Sequence, residues 1–256
     1  RMGGMVVRGP IALRNLDFFG CRTTMPPMRS TLGLALSLAL VCTSSWGASE
    51  HIVISGGPAL RKWEKSKERT HDVFWGNFVE SAIIRLAELK SKAQPGDQIG
   101  WLVFKPGYVA RSREERKDLT AIVQEKANAI GVALFWFDTT DQLINYINRG
   151  KDRSQFPVAS LDFFGHSNKV NWLFDYSNDL DGCSTVFFHT RDLSRLQSSA
   201  FAPNAEAKSW GCHSGEYYSQ KFFDLTGVKM WGAVGKTDYS QGGLPVLSTQ
   251  GGRWTQ

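Results

Sequence analysis

Short apolar runs alternate with amphipathic segments over most of the chain. The runs are rich in β-branched and aromatic residues, which favours buried strands. The predicted strands are His51–Ser55, Ile99–Phe104, Val132–Phe137, Pro157–Phe164, a brief one at Asn171–Tyr176, Glu206–Trp210 and Val228–Val234. Between them, apolar residues recur every three or four positions, as on one face of a helix. The predicted helices are Val73–Lys92, a segment that follows Ser112–Glu115 and ends at Gly131, Gln142–Asn148, one from Thr190 to near Ser198, and Tyr217–Leu225.

Local signals predict how some of these elements begin and end. Ser112 and Glu115 match a capping box ahead of an amphipathic helix. Pro106-Gly107 is typical of a turn after the second strand. The Gly-rich tail from Gln241 is expected to be irregular.

Strands that alternate with helices of this length predict a mostly parallel sheet with helices on both faces. The expected fold is an α/β three-layer sandwich. Residues 48–256 show no repeat or linker that would divide them, so a single domain is expected. In such a sheet, functional side chains gather at the carboxyl ends of the strands. His166, Cys212 and Asp238 each lie just past the end of a predicted strand.

The beginning of the chain does not follow this pattern. Met25–Arg29 supplies a positive segment, Leu32–Cys42 supplies an apolar core, and small and polar residues lead to Gly47. This arrangement is typical of a secretory signal peptide, and the core is short for a bilayer span. Residues 1–47 are therefore predicted to be a leader of upstream sequence plus signal peptide; the alternatives are a membrane anchor and a buried helix. The mature protein is expected to be exported without stable membrane insertion.

Loss of the leader removes most of the positive charge. The whole chain has 30 basic and 24 acidic residues, a net charge of +6. Residues 1–47 hold five arginines and Asp17, so the mature chain keeps 25 basic and 23 acidic residues, a net charge of +2. This balance gives no electrostatic basis for nucleic-acid binding.

Two strand ends carry side chains that could act together in nucleophilic catalysis. One strand leads into Gly165-His166-Ser167, and the other leads into Gly211–Gly215, a turn that contains Cys212. A cysteine at such a turn lies beside free backbone N–H groups, and its thiolate is the form that attacks. An imidazole can accept and donate protons near neutral pH. The sequence therefore predicts Cys212 as a nucleophile with His166 as the general acid and base.

Cys183 provides a different interpretation of Cys212. These are the two cysteines of the predicted mature chain, and an oxidising compartment favours a disulfide between them. A disulfide would remove the free thiol, and the protein would then be an inactive binding module. Because no Cys/His pair stands at ligand spacing from Cys212-His213, neither a metal nor a cofactor is predicted.

The two motifs resemble those of caspase-like cysteine peptidases, and of the metacaspases above all. These enzymes carry a Cys-His-Ser-Gly run at the nucleophile, as at Cys212–Gly215. They carry a Ser-Gly-His-Gly-type run at the catalytic histidine, similar to Phe164–Ser167, and the histidine comes first in the chain. The resemblance implies a caspase-like sheet and catalysis by Cys212 and His166. It also implies an oxyanion hole formed by the backbone N–H groups of Ser167 and Cys212.

Two positions depart from the metacaspase pattern. Ser167 follows the histidine where the family usually has glycine, and Trp210 stands two residues before the cysteine, where those enzymes place an acid. Specificity for arginine or lysine is therefore not expected. Trp210 and Asp238 are the candidate substrate-binding residues.

Ser167 also permits a serine hydrolase interpretation. Gly165-His166-Ser167 begins like the Gly-x-Ser-x-Gly nucleophile elbow of α/β-hydrolases, although Lys169 replaces the second glycine. The favoured prediction is an exported cysteine-dependent endopeptidase that uses Cys212 and His166. Its expected partner is a peptide or protein substrate, with no nucleic acid, and no oligomeric state is predicted.

Overall fold

The computed structural model describes residues 47–65, 73–178, 180 and 183–256. The predicted leader lies outside these residues, apart from Gly47. Among the helices of the described ranges, none is long and apolar enough to cross a membrane.

The described residues form strands and helices that alternate along the chain. The strands are β1 (Glu50–Ser55), β2 (Gln98–Phe104), β3 (Ala133–Phe137), β4 (Val158–Phe164), β5 (His166–Ser167), β6 (Asn171–Leu173), β7 (Phe187–His189), β8 (Phe201–Ser209), β9 (Lys229–Val234), β10 (Thr237–Asp238), β11 (Val246–Leu247) and β12 (Arg253–Thr255). The α-helices are α1 (Arg61–Glu64), α2 (Asn77–Lys92), α3 (Lys105–Glu115), α4 (Leu119–Ile130), α5 (Thr140–Arg149) and α6 (Tyr218–Thr226).

Seven of the described strands form a central sheet in the order β12-β9-β8-β4-β1-β2-β3. Six of them are parallel, and β12 pairs antiparallel with β9 at one edge. Counted along the chain, the parallel strands stand in the order 3-2-1-4-5-6 of a doubly wound sheet. The predicted α/β sandwich with a mostly parallel sheet is confirmed. The order of the sheet reverses between β1 and β4.

Helices cover both faces of the sheet because successive side chains of each strand point to opposite faces. On β1, Ile52 and Ile54 belong to a core that the sheet shares with α5 and α6. Val53 belongs to a second core, shared with α2, α3 and α4. Burial on both faces explains why the strands appear in the sequence as apolar runs rather than as alternating patterns.

Two small antiparallel sheets follow the carboxyl ends of central strands. The strands β5, β6 and β7 pair in that order directly after β4. The strand β10 pairs with β11 after β9. Both small sheets therefore extend from the edge of the central sheet at which the predicted site residues lie.

Ser112 does not begin a helix, so the capping-box prediction is wrong. It lies inside α3, where its hydroxyl donates to the carbonyl of Tyr108 (2.7 Å) and accepts from the N–H of Leu119 (3.0 Å). The N-cap of α4 is Asp118, whose carboxylate accepts from the N–H of Ala121 (3.0 Å). The chain is already helical at Ser112, and its hydroxyl instead joins the end of α3 to the start of α4.

The turn predicted at Pro106-Gly107 is instead the first turn of α3. Proline is compatible with this position, because the first N–H groups of a helix have no partner within it. Gly107 permits a close approach: a Cβ there would lie 2.7 Å from the Cα of Gly57. The start of α3 therefore packs against the turn that follows β1.

Two predictions for the later part of the chain are also corrected. The segment from Thr190 to Ser198 does not form one α-helix; 3-10 helices occupy Asp192–Arg195 and Ser198–Ala200. The tail from Gln241 contains β11 and β12, and β12 extends the central sheet. Strands of two or three residues are too short to show a hydrophobic period, so the sequence pattern did not reveal them.

Candidate active site

The carboxyl ends of β4 and β8 lie side by side in the central sheet. The two strands are parallel, with Phe163 opposite Ser209. The pairing continues one step further, because the N–H of Trp210 donates to the carbonyl of Phe163 (2.8 Å). His166 lies three residues after Phe163, and Cys212 lies three residues after Ser209. The two segments therefore leave the sheet at the same point.

Beyond the strands, the two segments are in direct contact. The hydroxyl of Ser167 donates to the carbonyl of Cys212 (2.6 Å). Gly211 is packed so closely that a Cβ would lie 2.7 Å from the carbonyl oxygen of Gly165 and 2.9 Å from the Cβ of Ser167. The structure therefore holds the backbone of the histidine segment against that of the cysteine segment.

Ser167 serves this contact, which argues against its use as a nucleophile. The residue is 8% exposed, and its hydroxyl is engaged by the carbonyl of Cys212. A nucleophile elbow needs a serine at a sharp turn from a strand into a helix. Here Ser167 lies in β5, and β6 follows it. The serine hydrolase interpretation therefore receives no support from this geometry.

Cys212 carries a free, half-buried thiol. The backbone N–H of Thr237 in β10 donates to its sulfur (3.4 Å), and the hydroxyl and carbonyl oxygens of Thr237 lie 3.6 and 3.8 Å from the sulfur. Cys183 is exposed and is also free. The alternative with a Cys183–Cys212 disulfide therefore does not describe this structure, and the thiol that a cysteine hydrolase needs is present.

The His166 ring packs against two aromatic residues. Phe78 of α2 makes an edge-to-face contact with 5.0 Å between ring centroids, and Tyr176 makes a second one at 4.6 Å. Such contacts have preferred geometries and restrict the orientation of the imidazole. His166 remains half-buried. Its ring thus has an orientation that Phe78 and Tyr176 define.

The backbone N–H of Ser167 points out of the β5–β6 ladder. The N–H of Asn168 donates to the carbonyl of Asn171 (3.0 Å), so these two residues form a hydrogen-bonded pair. Hydrogen-bonded and non-hydrogen-bonded pairs alternate in antiparallel ladders, and Ser167 opposite Trp172 is the next pair. The N–H of Ser167 therefore points away from β6, as the expected oxyanion-hole donor requires.

A group of charged side chains, here termed the edge cluster, lies beside the Cys212 turn and consists of Lys169, His213 and Glu216. The Glu216 carboxylate is bonded by the ammonium of Lys169 (2.7 Å) and by Nδ1 of His213 (2.5 Å). It also accepts from the backbone N–H of Gly235 (3.1 Å). These bonds, the one from Lys169 above all, lower the pKa of Glu216 to about 2.

The edge cluster joins three loops at the carboxyl edge of the sheet. Lys169 follows β5, His213 and Glu216 follow β8, and Gly235 follows β9. His213 has a left-handed backbone (φ 60°), which is uncommon for a residue other than glycine. Its N–H donates to the carbonyl of Gly235 (2.7 Å). This cluster was not predicted from the sequence, although His213 and Glu216 stand three positions apart, at the two ends of one 3-10 turn.

Trp210, a candidate substrate contact, is a core residue. It is 7% exposed, it stacks on Phe164 (5.5 Å between ring centroids), and its indole N–H donates to the Asp162 carboxylate (2.9 Å). Arg85 bonds to the same carboxylate (3.0 Å), and the ammonium of Lys208 lies 3.5 Å from the indole centroid. These four residues, Arg85, Asp162, Lys208 and Trp210, are termed the inner cluster. Its packing leaves little of the indole for a substrate.

Asp238, a candidate substrate contact, organises its own loop. One carboxylate oxygen accepts from the N–H of Ser240 (2.8 Å), and the other accepts from the side-chain amide of Gln241 (3.2 Å). An aspartate that bonds to the backbone two residues later is typical of a turn. Asp238 therefore shapes the loop after β10.

No protein-family model matches the chain, and no curated protein or solved structure is significantly similar to it. Across the residues that the structure describes, no group of three His, Cys, Asp or Glu side chains is arranged to hold a metal ion. The function is therefore inferred from the geometry and chemistry of the site.

Proposed function

We propose that this protein is an exported cysteine-dependent hydrolase of the caspase-like type, which cleaves peptide bonds with Cys212 and His166. The observation that carries the proposal is the hydrogen bond from the Ser167 hydroxyl to the carbonyl of Cys212. It joins the two segments that the motifs single out, at the carboxyl ends of adjacent parallel strands. In open α/β sheets, ligands bind at this edge.

In the proposed reaction, the thiolate of Cys212 attacks the carbonyl carbon of the scissile peptide bond. The backbone N–H groups of Ser167 and Cys212 stabilise the negative charge that develops on the carbonyl oxygen. His166 donates a proton to the leaving amine, and a thioester to Cys212 remains. Water then attacks the thioester while His166 accepts its proton, which releases the acid product and restores the thiolate beside a protonated His166.

The edge cluster supports this chemistry by fixing the backbone around the nucleophile. Glu216 binds the side chain of His213, the neighbour of Cys212, and the N–H of Gly235. Gly235 lies two residues before Thr237, which contacts the sulfur. A site whose donors are already in place needs no rearrangement during the reaction, which is the main source of electrostatic catalysis.

The strand order favours a second candidate function, nucleotide binding. Doubly wound sheets bind phosphate at a glycine-rich turn after the first strand, and Gly56-Gly57 follows β1. This turn is filled: a Cβ on Gly57 would lie 2.8 Å from the carbonyl oxygen of Phe174 and 3.0 Å from the Cα of Gly107. The helix that follows has four residues. These glycines therefore serve packing, and the geometry favours the hydrolase.

Alkylation of the folded protein tests the proposal directly. We expect iodoacetamide at neutral pH to label Cys212 faster than Cys183, with the labelled residues located by peptide mass spectrometry. Cys183 is an internal reference because it is exposed and free. His166→Ala should slow labelling of Cys212 by at least about tenfold, since the imidazole accepts the thiol proton.

The matched control is His51→Ala, which removes a histidine on β1 whose side chain contacts Ser160 and Asp97. An inert Cys212, or equal labelling rates in the two histidine variants, would contradict the proposal. Incubation with a peptide mixture then shows whether cleavage occurs. Under the proposal, any cleavage must disappear in Cys212→Ala.

A further inference from the structure

A cavity of about 260 Å³ lies between the start of α2 and the loop that follows β10. Phe74, Glu80 and Ser81 line one side, and Tyr239 and Gly243 line the other. Sites for drug-sized ligands and cofactors measure roughly 300–1,000 Å³. The cavity is smaller than these, and its size suits one large side chain.

Tyr239 connects this cavity to the candidate active site. Its hydroxyl accepts from the backbone N–H of Gly165 (3.2 Å), the residue before His166. Its ring packs edge-to-face on Phe78 (4.9 Å between centroids), which in turn contacts the His166 ring (5.0 Å). One wall of the cavity therefore belongs to the aromatic group that orients His166.

The chemistry of the lining favours an apolar occupant. Phe74 is 49% exposed, a large share for an aromatic residue. The Ser81 hydroxyl donates to the carbonyl of Gly243 (2.8 Å), and the Glu80 carboxylate pairs with Lys126 of α4 (2.9 Å). Because these polar groups are bonded within the protein, a charged ligand would have to compete for them, whereas an apolar group would cover exposed aromatic surface.

We propose that this cavity binds a large apolar or aromatic side chain of the peptide whose bond Cys212 attacks. The inference rests on the proposed function, because it requires a peptide in the active site. It names a substrate class: peptides with Phe, Leu or a similar residue near the scissile bond.

Filling the cavity tests this specificity. Gly243 lines the cavity, a Cβ added there would have open space around it, and its φ does not lie in the left-handed region, so Gly243→Leu adds a large apolar side chain at the cavity wall without backbone strain. The substrates are peptides in which one residue near the scissile bond is varied, and the responsive position is the one at which this residue changes the cleavage rate of the wild type. We expect Gly243→Leu to lower kcat/KM about 10- to 200-fold for the peptide with Phe at this position. The same peptide with Ala there should change less than about twofold. Val246→Leu, at an exposed position of β11, is the matched control and should behave as the wild type.

A binding measurement separates this inference from the proposed function. In NMR titrations of the full chain carrying Cys212→Ala, N-acetyl-phenylalanine amide should shift the amide signals of Ser81 and Gly243. N-acetyl-glycine amide should not shift them, and Gly243→Leu should abolish the effect. Neither result depends on catalysis.

The outcomes are distinguishable. The subsite is overturned, even when Cys212 is active, if kcat/KM does not depend on the varied residue. It is also overturned if Gly243→Leu lowers kcat/KM equally for all peptides. Absence of the phenylalanine-dependent shifts overturns it as well. Binding of the amide with no cleavage of any peptide overturns the proposed function and, with it, the assignment of the cavity to a substrate side chain.

Discussion

The inner cluster and the edge cluster both involve the end of β8, and they use charge in opposite ways. In the inner cluster, Asp162 is 2% exposed, and burial raises the pKa of its carboxyl. In the edge cluster, the bonds from Lys169 and His213 lower the pKa of Glu216 to about 2. Two carboxylates close to the same strand therefore have pKa values shifted in opposite directions.

The difference shows that a shifted pKa does not by itself mark a functional site. Asp162 is bonded to Arg85 of α2 and to Trp210 of the segment after β8, so it joins a helix to the sheet. Glu216 is bonded to loops at the carboxyl edge, next to Cys212. We therefore expect changes in the inner cluster to affect stability first, and changes at the edge to affect activity first.

The largest expected effect is on activity, from Cys212→Ala. We expect kcat/KM for peptide cleavage to fall at least about 10⁴-fold, as when the nucleophile of a protease is removed. The free energy of unfolding should change by less than about 1 kcal/mol, because the thiol is half-buried and small. Peptide cleavage and urea unfolding measure the two quantities. Cys183→Ala is the control, and residual activity of Cys212→Ala near the wild-type level would remove Cys212 from the mechanism.

The second prediction concerns the inner cluster. Asp162→Ala leaves the guanidinium of Arg85 and the indole N–H of Trp210 without their buried acceptor. We expect a loss of about 3–5 kcal/mol in the free energy of unfolding, as when one partner of a buried ion pair is removed. Asp162→Asn keeps an acceptor for the indole and should cost less. Equal costs for the two variants would show that packing, and not hydrogen bonding, is what Asp162 contributes.

The sequence predicted those parts of the fold that depend on local pattern. A strand buried on both faces must be apolar along its length, and Pro157–Phe164 was predicted as a strand that the structure places at Val158–Phe164. The Ser112 capping box failed because a local motif cannot tell the start of a helix from its end. The edge strand β12 forms by pairing with β9, and a segment of three residues is too short for a hydrophobic pattern that would predict this pairing.

The surroundings of the site depend on contacts between distant parts of the chain. Ser167 bonds to Cys212 across 45 positions, and Trp210 bonds to Asp162 across 48 positions. Both contacts depend on the order of the strands in the sheet, and local sequence patterns do not predict that order. The motifs at His166 and Cys212 are visible in the sequence because the chemistry of a residue type is local information, and their catalytic role stays a prediction.

The third prediction tests how tightly the two candidate segments are joined. Gly211→Ala places a methyl group 2.7 Å from the carbonyl oxygen of Gly165 and 2.9 Å from the Cβ of Ser167, so the segments must move apart. We expect a loss of about 1–3 kcal/mol in unfolding free energy, the usual cost of overpacking, together with a fall in kcat/KM. Ala129→Ser, which adds one heavy atom at an exposed position of α4, is the control. Full activity in Gly211→Ala would show that the contact is dispensable for catalysis.

The smallest expected effect is the pH dependence that Glu216 confers on stability. Its pKa is about 2 in the folded protein, against an ordinary value of 4.5 for a glutamate in the unfolded chain, so the unfolded chain binds more protons between these values. Stability therefore rises with pH in this window: the contribution is complete above pH 4.5 and is lost as pH falls toward 2. We expect Glu216→Gln to cost about 1 kcal/mol at neutral pH, since charged hydrogen bonds near a surface contribute modestly. Urea unfolding at several pH values should show this difference shrinking below pH 4.5.

Asp224→Asn, which removes a carboxylate of α6 paired with Lys221, is the control. If both variants follow the same pH profile, the bonds of Glu216 do not distinguish the edge cluster from an ordinary surface ion pair, and its expected role in positioning Cys212 loses its energetic basis.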